Sequence, residues 1–70
     1  MPQGTVKFFW TDKGYGFIAP DNRGKDVYVD RSELEKTGLL RLVPDQRVTF
    51  DVQLDTKSGR TRAVNVRVEQ

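Results

Sequence analysis

Apolar and polar residues alternate along several short stretches of this chain, a pattern typical of β-strands with one buried face. Strands are predicted at residues 5–11, 15–19, 26–30, 47–54 and 62–68. Turn-forming residues separate several of these stretches, at residues 12–14, 20–25 and 55–60. The pattern therefore predicts an all-β chain whose first three strands form an antiparallel meander.

The segment 31–46 breaks this alternation. Ser32 is the expected N-cap of a helix that has room for little more than one turn. Gly38 and Pro44 interrupt the rest of the segment, so we expect an ordered crossover instead of a longer helix. Four apolar residues are expected to hold it in place: Leu39, Leu40, Leu42 and Val43.

Strict alternation also predicts which side chains of the later strands face the core. The inward residues are expected to be Val27 and Val29 in the third strand, Val48, Phe50, Val52 and Leu54 in the fourth, and Val64, Val66 and Val68 in the fifth. The remaining positions of these strands then face outward, among them Tyr28 and Asp30.

A chain of 70 residues forms one domain, residues 1–70, near the lower size limit for an unassisted hydrophobic core. An open sheet of short strands exposes two edges, and closure into a barrel removes them. We therefore predict a five-stranded antiparallel Greek-key barrel of the oligonucleotide-binding type (OB-fold). An SH3-like barrel stays open as an alternative, because the number of strands does not fix their connectivity.

Composition argues against catalysis and against bound metal. The chain has no cysteine and no histidine, which removes disulfides, thiolate metal sites, the usual general base and the commonest metal ligand. No nucleophile–base pair stands out, so we predict neither an enzyme nor a cofactor or small-molecule substrate. The N-terminus lacks a secretory signal and no apolar stretch would span a bilayer, so we expect a cytoplasmic monomer without a membrane partner.

The charge is mildly basic and unevenly distributed. The net charge is +2, with five basic and six acidic residues in residues 1–35 but seven basic and four acidic residues in residues 36–70. An excess of this size permits a polyanionic partner without indicating one. Evidence for the kind of binding partner must therefore come from the aromatic residues.

Six of the seven aromatic residues fall within residues 8–28. Tyr15 and Phe17 are two apart on one strand and so share a face, while Gly16 lets another backbone approach the opposite face. Lys13 adds a cation beside them, and Tyr28 is expected across the neighbouring strand. A domain this small cannot bury all six rings, and exposed rings beside positive charge suit stacked bases and a phosphate chain.

Two sequence motifs resemble those of a known protein family. Residues 13–18 match the first ribonucleoprotein motif, and residues 27–30 resemble the second. Because the first motif directly follows the first strand, and residues 4–9 precede it, the chain resembles a cold-shock domain from Gly4 to about Val68, close to the single-domain bacterial cold-shock proteins. The resemblance implies an OB-fold that binds single-stranded RNA or DNA, often to melt or prevent RNA secondary structure.

The resemblance also implies roles for individual residues. Lys7 and Lys13 would contact phosphates, whereas Phe8, Tyr15, Phe17 and Tyr28 would stack on bases. Apart from the resemblance, four basic residues lie in or near the last hairpin, and we expect most of them to be solvated: Lys57, Arg60, Arg62 and Arg67. Arg60 and Lys57 are the better candidates for occasional phosphate contacts.

Five positions depart from the family pattern. Phe8 replaces the usual tryptophan, Trp10 a common asparagine, Asp30 a histidine, Arg31 a phenylalanine and Leu39 a stacking phenylalanine. Asp30 would repel phosphates, whereas Arg31 adds charge and a guanidinium that stacks on bases. These positions are expected to set affinity and base preference.

The first strand contains a conflict. Strict alternation puts Val6, Phe8 and Trp10 on one face, so a buried Val6 and an exposed Phe8 require a bend or bulge between them. Phe9 is expected beside Lys7 or half-buried at a rim. Trp10 is either part of the binding surface or a structural lid.

A second function remains in competition at this point. The exposed aromatic residues would also serve a protein-interaction barrel that binds a peptide or a partner subunit. Lys7 and Lys13 beside the rings favour a polyanion instead.

Overall fold

A barrel of five strands with one short helix forms residues 2–69, the part of the chain that this computed structural model describes. The elements are β1 (Gln3–Trp10), β2 (Tyr15–Pro20), β3 (Val27–Asp30), α1 (Arg31–Lys36), β4 (Arg47–Asp55) and β5 (Arg60–Val68). The predicted all-β fold class is confirmed. No helix within residues 2–69 is long and apolar enough to cross a membrane.

The strands follow the order β1-β2-β3-β5-β4 around the closed barrel. β1 pairs with β2 on one side and with β4 on the other, and β4 pairs with β5, all antiparallel. The barrel closes where β3 meets β5 in parallel, with Tyr28 opposite Arg62. This parallel contact follows from the crossover at residues 31–46, which reverses the order of the last two strands.

The core consists of apolar side chains from every strand together with Leu34 of α1 and Leu42 of the crossover. Phe50 is the largest fully buried side chain. Gly16 allows close packing of β2 on β1, because a Cβ at this position would overlap the carbonyl oxygen of Phe8. The expected close approach of another backbone at Gly16 is thus confirmed.

The predicted inward face of β4 is only half right. Val48 and Phe50 are buried, but Val52 is 48% exposed and Leu54 is 59% exposed. Within residues 2–69, β4 pairs with β1 only as far as Thr49, so the rest of β4 forms a two-stranded hairpin with β5. This outer half of the hairpin has no core layer beneath it, and its alternation therefore does not correspond to burial.

The predicted inward face of β5 is also partly wrong. Ala63 and Val66 are buried, Val64 is half-buried, and Val68 packs against the core as expected. The register of β4 and β5 shifts between Thr49 and Asp51, and Asn65 opposite this shift has a positive φ of 54°. This bulge moves the inward positions by one residue.

The crossover differs from its prediction in two respects. Helix α1 begins two residues earlier than expected, so Asp30 and not Ser32 is its N-cap. Leu42 is buried and Leu39 packs against the core, as expected, but Leu40 is 84% exposed and Val43 is 50% exposed. An extended segment that runs over a core can turn only some of its side chains towards it.

A long-range ion pair ties the loop after β2 to the start of β4. The Arg47 guanidinium donates to both carboxylate oxygens of Asp21, at 2.7 Å from Nη1 and 2.6 Å from Nη2, and also to Thr5 Oγ1 at 3.0 Å. These hydrogen bonds lower the pKa of Asp21 below its ordinary value. Sequence analysis treated Asp21 only as a turn residue.

Candidate nucleic-acid interface

Five aromatic side chains lie together on the outer face of β1, β2 and β3. We call this set the aromatic surface; it consists of Phe8, Trp10, Tyr15, Phe17 and Tyr28. Each strand contributes outward positions that alternate with buried ones, so the same three strands supply core residues on the inside and these rings on the outside. The structure thus brings together all five aromatic residues that were predicted for the site.

Phe17 lies at the centre of the aromatic surface. It pairs with Phe8 across β1 and β2 and with Tyr28 across β2 and β3. Its ring centroid lies 5.6 Å from that of Phe8 and 5.9 Å from that of Tyr28. Phe17 therefore joins two cross-strand pairs into a continuous apolar strip.

Three further contacts extend this strip around Tyr15 and Trp10. Tyr15 and Tyr28 have ring centroids 5.8 Å apart and planes inclined by only 25°. Trp10 meets Tyr15 edge-on at 5.2 Å and lies 4.7 Å from Phe8. Trp10 is 43% exposed and lies among the rings of the aromatic surface.

The conflict in the first strand is resolved by a bulge. The register of β1 against β2 shifts between Val6 and Phe8. This is the bulge that the sequence requires if Val6 faces the core and Phe8 faces outward. Val6 is fully buried and Phe8 is half-buried on the outer side. The prediction for Phe9 was wrong: the bulge turns this ring inward, where it is 8% exposed and belongs to the core.

The two predicted lysines lie beside the rings in different environments. Lys13 Nζ lies 4.7 Å from the ring centroid of Trp10, a cation–π contact at the exposed end of the surface. Lys7 Nζ makes an ion pair with Asp26 Oδ2 at 2.9 Å. A phosphate that approaches Lys7 must therefore compete with the Asp26 carboxylate.

Asp30 and Arg31 occupy the boundary of the aromatic surface at the end of β3. Asp30 pairs with Tyr15 across β2 and β3. The backbone amide of Arg31 donates to Gly14 O at 2.9 Å, and its side chain lies over Gly14 in the turn after β1. Arg31 Nη1 also donates to Thr11 O at 3.4 Å, so the guanidinium is held near the same turn that carries Lys13.

The last two predicted residues differ in their surroundings. Leu39 is half-buried and packs against the core, which leaves only part of its side chain for any ligand. Arg60 is exposed at the start of β5 and lines two grooves next to Tyr28. Arg62 lines one of them and lies opposite Tyr28 in the barrel. The basic hairpin around Arg62 predicted a solvated side chain, because no local pattern indicates the parallel contact of β3 with β5.

The surroundings of Tyr28 make its hydroxyl a weaker acid than an ordinary tyrosine. Burial raises the pKa of the Tyr28 hydroxyl, and the negative charge of Asp30 raises it further, while Arg62 acts in the opposite direction. Both charged neighbours are close enough to Tyr28 to influence it. Within residues 2–69, no group of three or more acidic residues could hold a metal ion.

Comparison with known proteins gives one consistent result. The family model described as "'Cold-shock' DNA-binding domain" matches residues 2–69. "Cold shock protein CspA" of Rhizobium meliloti is 49% identical over 67 residues, which cover 96% of this chain and 97% of that protein. "Probable cold shock protein A" of Mycobacterium tuberculosis is 42% identical over 91% of this chain and 96% of its own length.

A plant relative shows the same domain within a longer protein. "Cold shock domain-containing protein 4" of Arabidopsis thaliana is 44% identical over 91% of this chain but only 31% of its own length. The bacterial relatives, in contrast, are matched over nearly their whole length. The chain belongs to the cold-shock domain family.

Proposed function

We propose that this chain binds single-stranded RNA or DNA on the aromatic surface. The observation that carries the proposal is the set of five contiguous rings on the outer face of β1–β3, of which Trp10 is 43% exposed. Phe9 and Phe50 fill the core from the inside, so the outer rings are not needed to complete it. Bases present flat faces of matching size, and stacking tolerates any base sequence.

Stacking and charge act together in this proposal. Each stacked base contributes about 1–3 kcal/mol, and the loss of strand flexibility and rigid-body freedom offsets much of the sum. Lys13 and Arg31 lie at one end of the aromatic surface, with Lys7 on the outer side of β1 and Arg60 beside Tyr28. A strand lying on the rings would thus have cations within reach of its phosphates.

The biological role that we infer is that of an RNA chaperone or a regulator of gene expression. A single-stranded binder melts weak hairpins because it captures the open form, a mechanism that needs no nucleotide hydrolysis. The relatives are named cold shock proteins, which supports a role in the stress response.

A titration of the fluorescence of Trp10, the only tryptophan in the chain, tests the proposal. We expect RNA and DNA hexamers to change the emission, because Trp10 is on the aromatic surface. The logarithm of the association constant is expected to fall with the logarithm of salt concentration, by about 0.7 for each neutralised phosphate. An absence of oligonucleotide binding at low salt would contradict the proposal and leave the protein-interaction barrel as the better account.

A further inference from the structure

A groove runs beside Tyr28, between the end of β3 and the β4–β5 hairpin. We call it the hairpin groove; it is lined by Tyr28, Asp30, Asp55, Ser58, Arg60, Thr61 and Arg62. Its volume of about 380 Å³ lies within the range of about 300–1,000 Å³ that is usual for small-ligand sites. Tyr28 belongs to both the aromatic surface and the groove lining, so a base stacked on Tyr28 would lie beside the groove.

The Asp30 carboxylate lies beside Tyr28, the ring on which a base would stack. Tyr28 and Asp30 share the outer face of β3, because Val27 and Val29 point into the core. Asp30 also pairs with Tyr15, whose ring stacks on that of Tyr28. Asp30 therefore faces the rim of the stacked pair, where the hydrogen-bonding edge of a base would lie.

Asp30 is free to accept hydrogen bonds from a ligand. Although it is the N-cap of α1, its side chain makes no cap hydrogen bond, and it takes no part in the ion pairs formed among residues 2–69. The other carboxylate in the groove already holds the hairpin loop, since Asp55 Oδ1 accepts a hydrogen bond from the amide of Lys57 at 2.9 Å. Asp30 is thus the carboxylate in the groove that accepts no hydrogen bond and makes no ion pair among residues 2–69.

The opposite wall supplies donors. Arg62 lies opposite Tyr28 in the parallel contact of β3 with β5, and Arg60 is two residues before it on the same strand. Both are part of the groove lining. A guanidinium offers only hydrogen-bond donors and a carboxylate only acceptors, so the groove is complementary to an edge that carries both kinds of group.

Guanine has that edge. Its Watson–Crick side presents two adjacent donors, N1–H and the N2 amino group, next to the acceptor O6. Two parallel donors match the two oxygens of a carboxylate, which gives a bidentate and charge-assisted pair. Uracil and thymine offer one donor between two carbonyl oxygens, and these oxygens repel a carboxylate. Adenine and cytosine present one amino group next to an acceptor.

We propose that the hairpin groove selects guanine in a bound single strand, with the base stacked on Tyr28, Asp30 accepting from N1–H and N2–H, and an arginine of β5 donating to O6. The proposal rests on the single-strand binding proposed above and adds a base preference to it.

A set of oligonucleotides tests this preference directly. Hexathymidylate is compared with hexamers that carry one guanine at each position in turn, by the change in Trp10 fluorescence. We expect the best-placed guanine to strengthen binding by about 5- to 150-fold, the discrimination of a bidentate contact. Inosine, which lacks the N2 amino group, should lose most of this gain, whereas 7-deazaguanine should retain it. Free guanosine monophosphate should bind far more weakly than the hexamer, because it stacks on one ring only.

Variants of Asp30 assign the preference to its carboxylate. Asp30→Asn and Asp30→His should bind hexathymidylate as well as or better than the parent chain, because a negative charge is removed, but should lose the guanine preference. Asp45→Asn is the matched control: it removes the same charge outside the groove, at a positive φ of 71° that asparagine tolerates. It should keep the preference. Thermal melting checks that each variant folds.

The outcomes separate this inference from the proposed function. If the parent chain binds guanine-containing and all-thymine hexamers equally, or if Asp30→Asn retains the preference, the guanine site is overturned while single-strand binding stands. If no oligonucleotide binds, both proposals fail together. Tight binding of free guanosine monophosphate would also overturn the proposal, since it would indicate a mononucleotide site instead of a strand-reading groove.

Discussion

The outer faces of β1–β3 and of the β4–β5 hairpin both carry exposed apolar side chains, yet for different reasons. On β1–β3, Trp10 is exposed and the other four rings are half-buried over a complete core, and every ring contacts at least one other. On the hairpin, Val52 and Leu54 are exposed because β4 has left β1 and no layer covers them. Exposure over a filled core indicates a binding surface, whereas exposure at the end of a projecting hairpin reflects missing neighbours.

The largest expected effect separates two adjacent phenylalanines of β1. Phe9→Ala should lower the free energy of unfolding by about 3–5 kcal/mol, because it leaves a cavity in the core of a small domain. Phe8→Ala is the matched control; it should cost much less stability and should weaken oligonucleotide binding instead. Chemical denaturation measures both variants. Equal losses of stability would show that the bulge does not separate these two rings as described.

The next effect concerns the centre of the aromatic surface. Phe17→Ala should weaken single-strand binding by about 1–3 kcal/mol, the contribution of one stacked base. The melting temperature should fall far less than for Phe9→Ala, since Phe17 lies outside the core. Isothermal titration with a hexamer and thermal melting give the two numbers. A collapse in melting temperature with unchanged affinity would mean that Phe17 is structural.

A smaller effect tests the ion pair between Arg47 at the start of β4 and Asp21 in the loop after β2. The hydrogen bonds from Arg47 lower the pKa of Asp21 below the ordinary carboxyl value of 3.8. The ion pair therefore contributes its full stabilisation above pH 3.8, and this contribution disappears as the pH falls through the lower pKa of the folded state. Asp21→Asn should therefore have a lower melting temperature than the parent near neutral pH, and the difference should vanish in acid. A difference that is independent of pH would contradict this account.

The smallest effect is expected on the projecting hairpin. Leu54→Thr should change the free energy of unfolding by no more than about 0.5 kcal/mol, as for most exposed positions. Val48→Thr, on the buried half of the same strand, should cost about 1–3 kcal/mol because it places a hydroxyl in the core. A large cost for Leu54→Thr would indicate that the hairpin packs against something that the barrel alone does not show.

Much of the fold and of the site could be predicted because the information is local. Alternation gave the five strands, and the spacing of Tyr15 and Phe17 put both rings on one face. The bulge in β1 followed from a contradiction between the expected positions of Val6 and Phe8. Such features depend on neighbours in the chain, so the sequence indicates them directly.

The errors involve contacts between distant segments. The burial of Phe9 depends on how far the bulge turns the strand, and the bulge at Asn65 depends on the register with β4. The Arg47–Asp21 pair joins residues 26 positions apart, and the contact of Arg62 with Tyr28 exists only in the closed barrel. No local pattern indicates these contacts, because each requires the complete topology.

The most direct measurement of the central claim is a map of amide chemical-shift changes when a single-stranded hexamer is added to the isotope-labelled chain. The account predicts that the largest changes lie on the outer residues of β1–β3 and at the hairpin groove, around Phe17, Tyr28 and Asp30. Changes concentrated around Val52 and Leu54, with the aromatic surface unaffected, would contradict it.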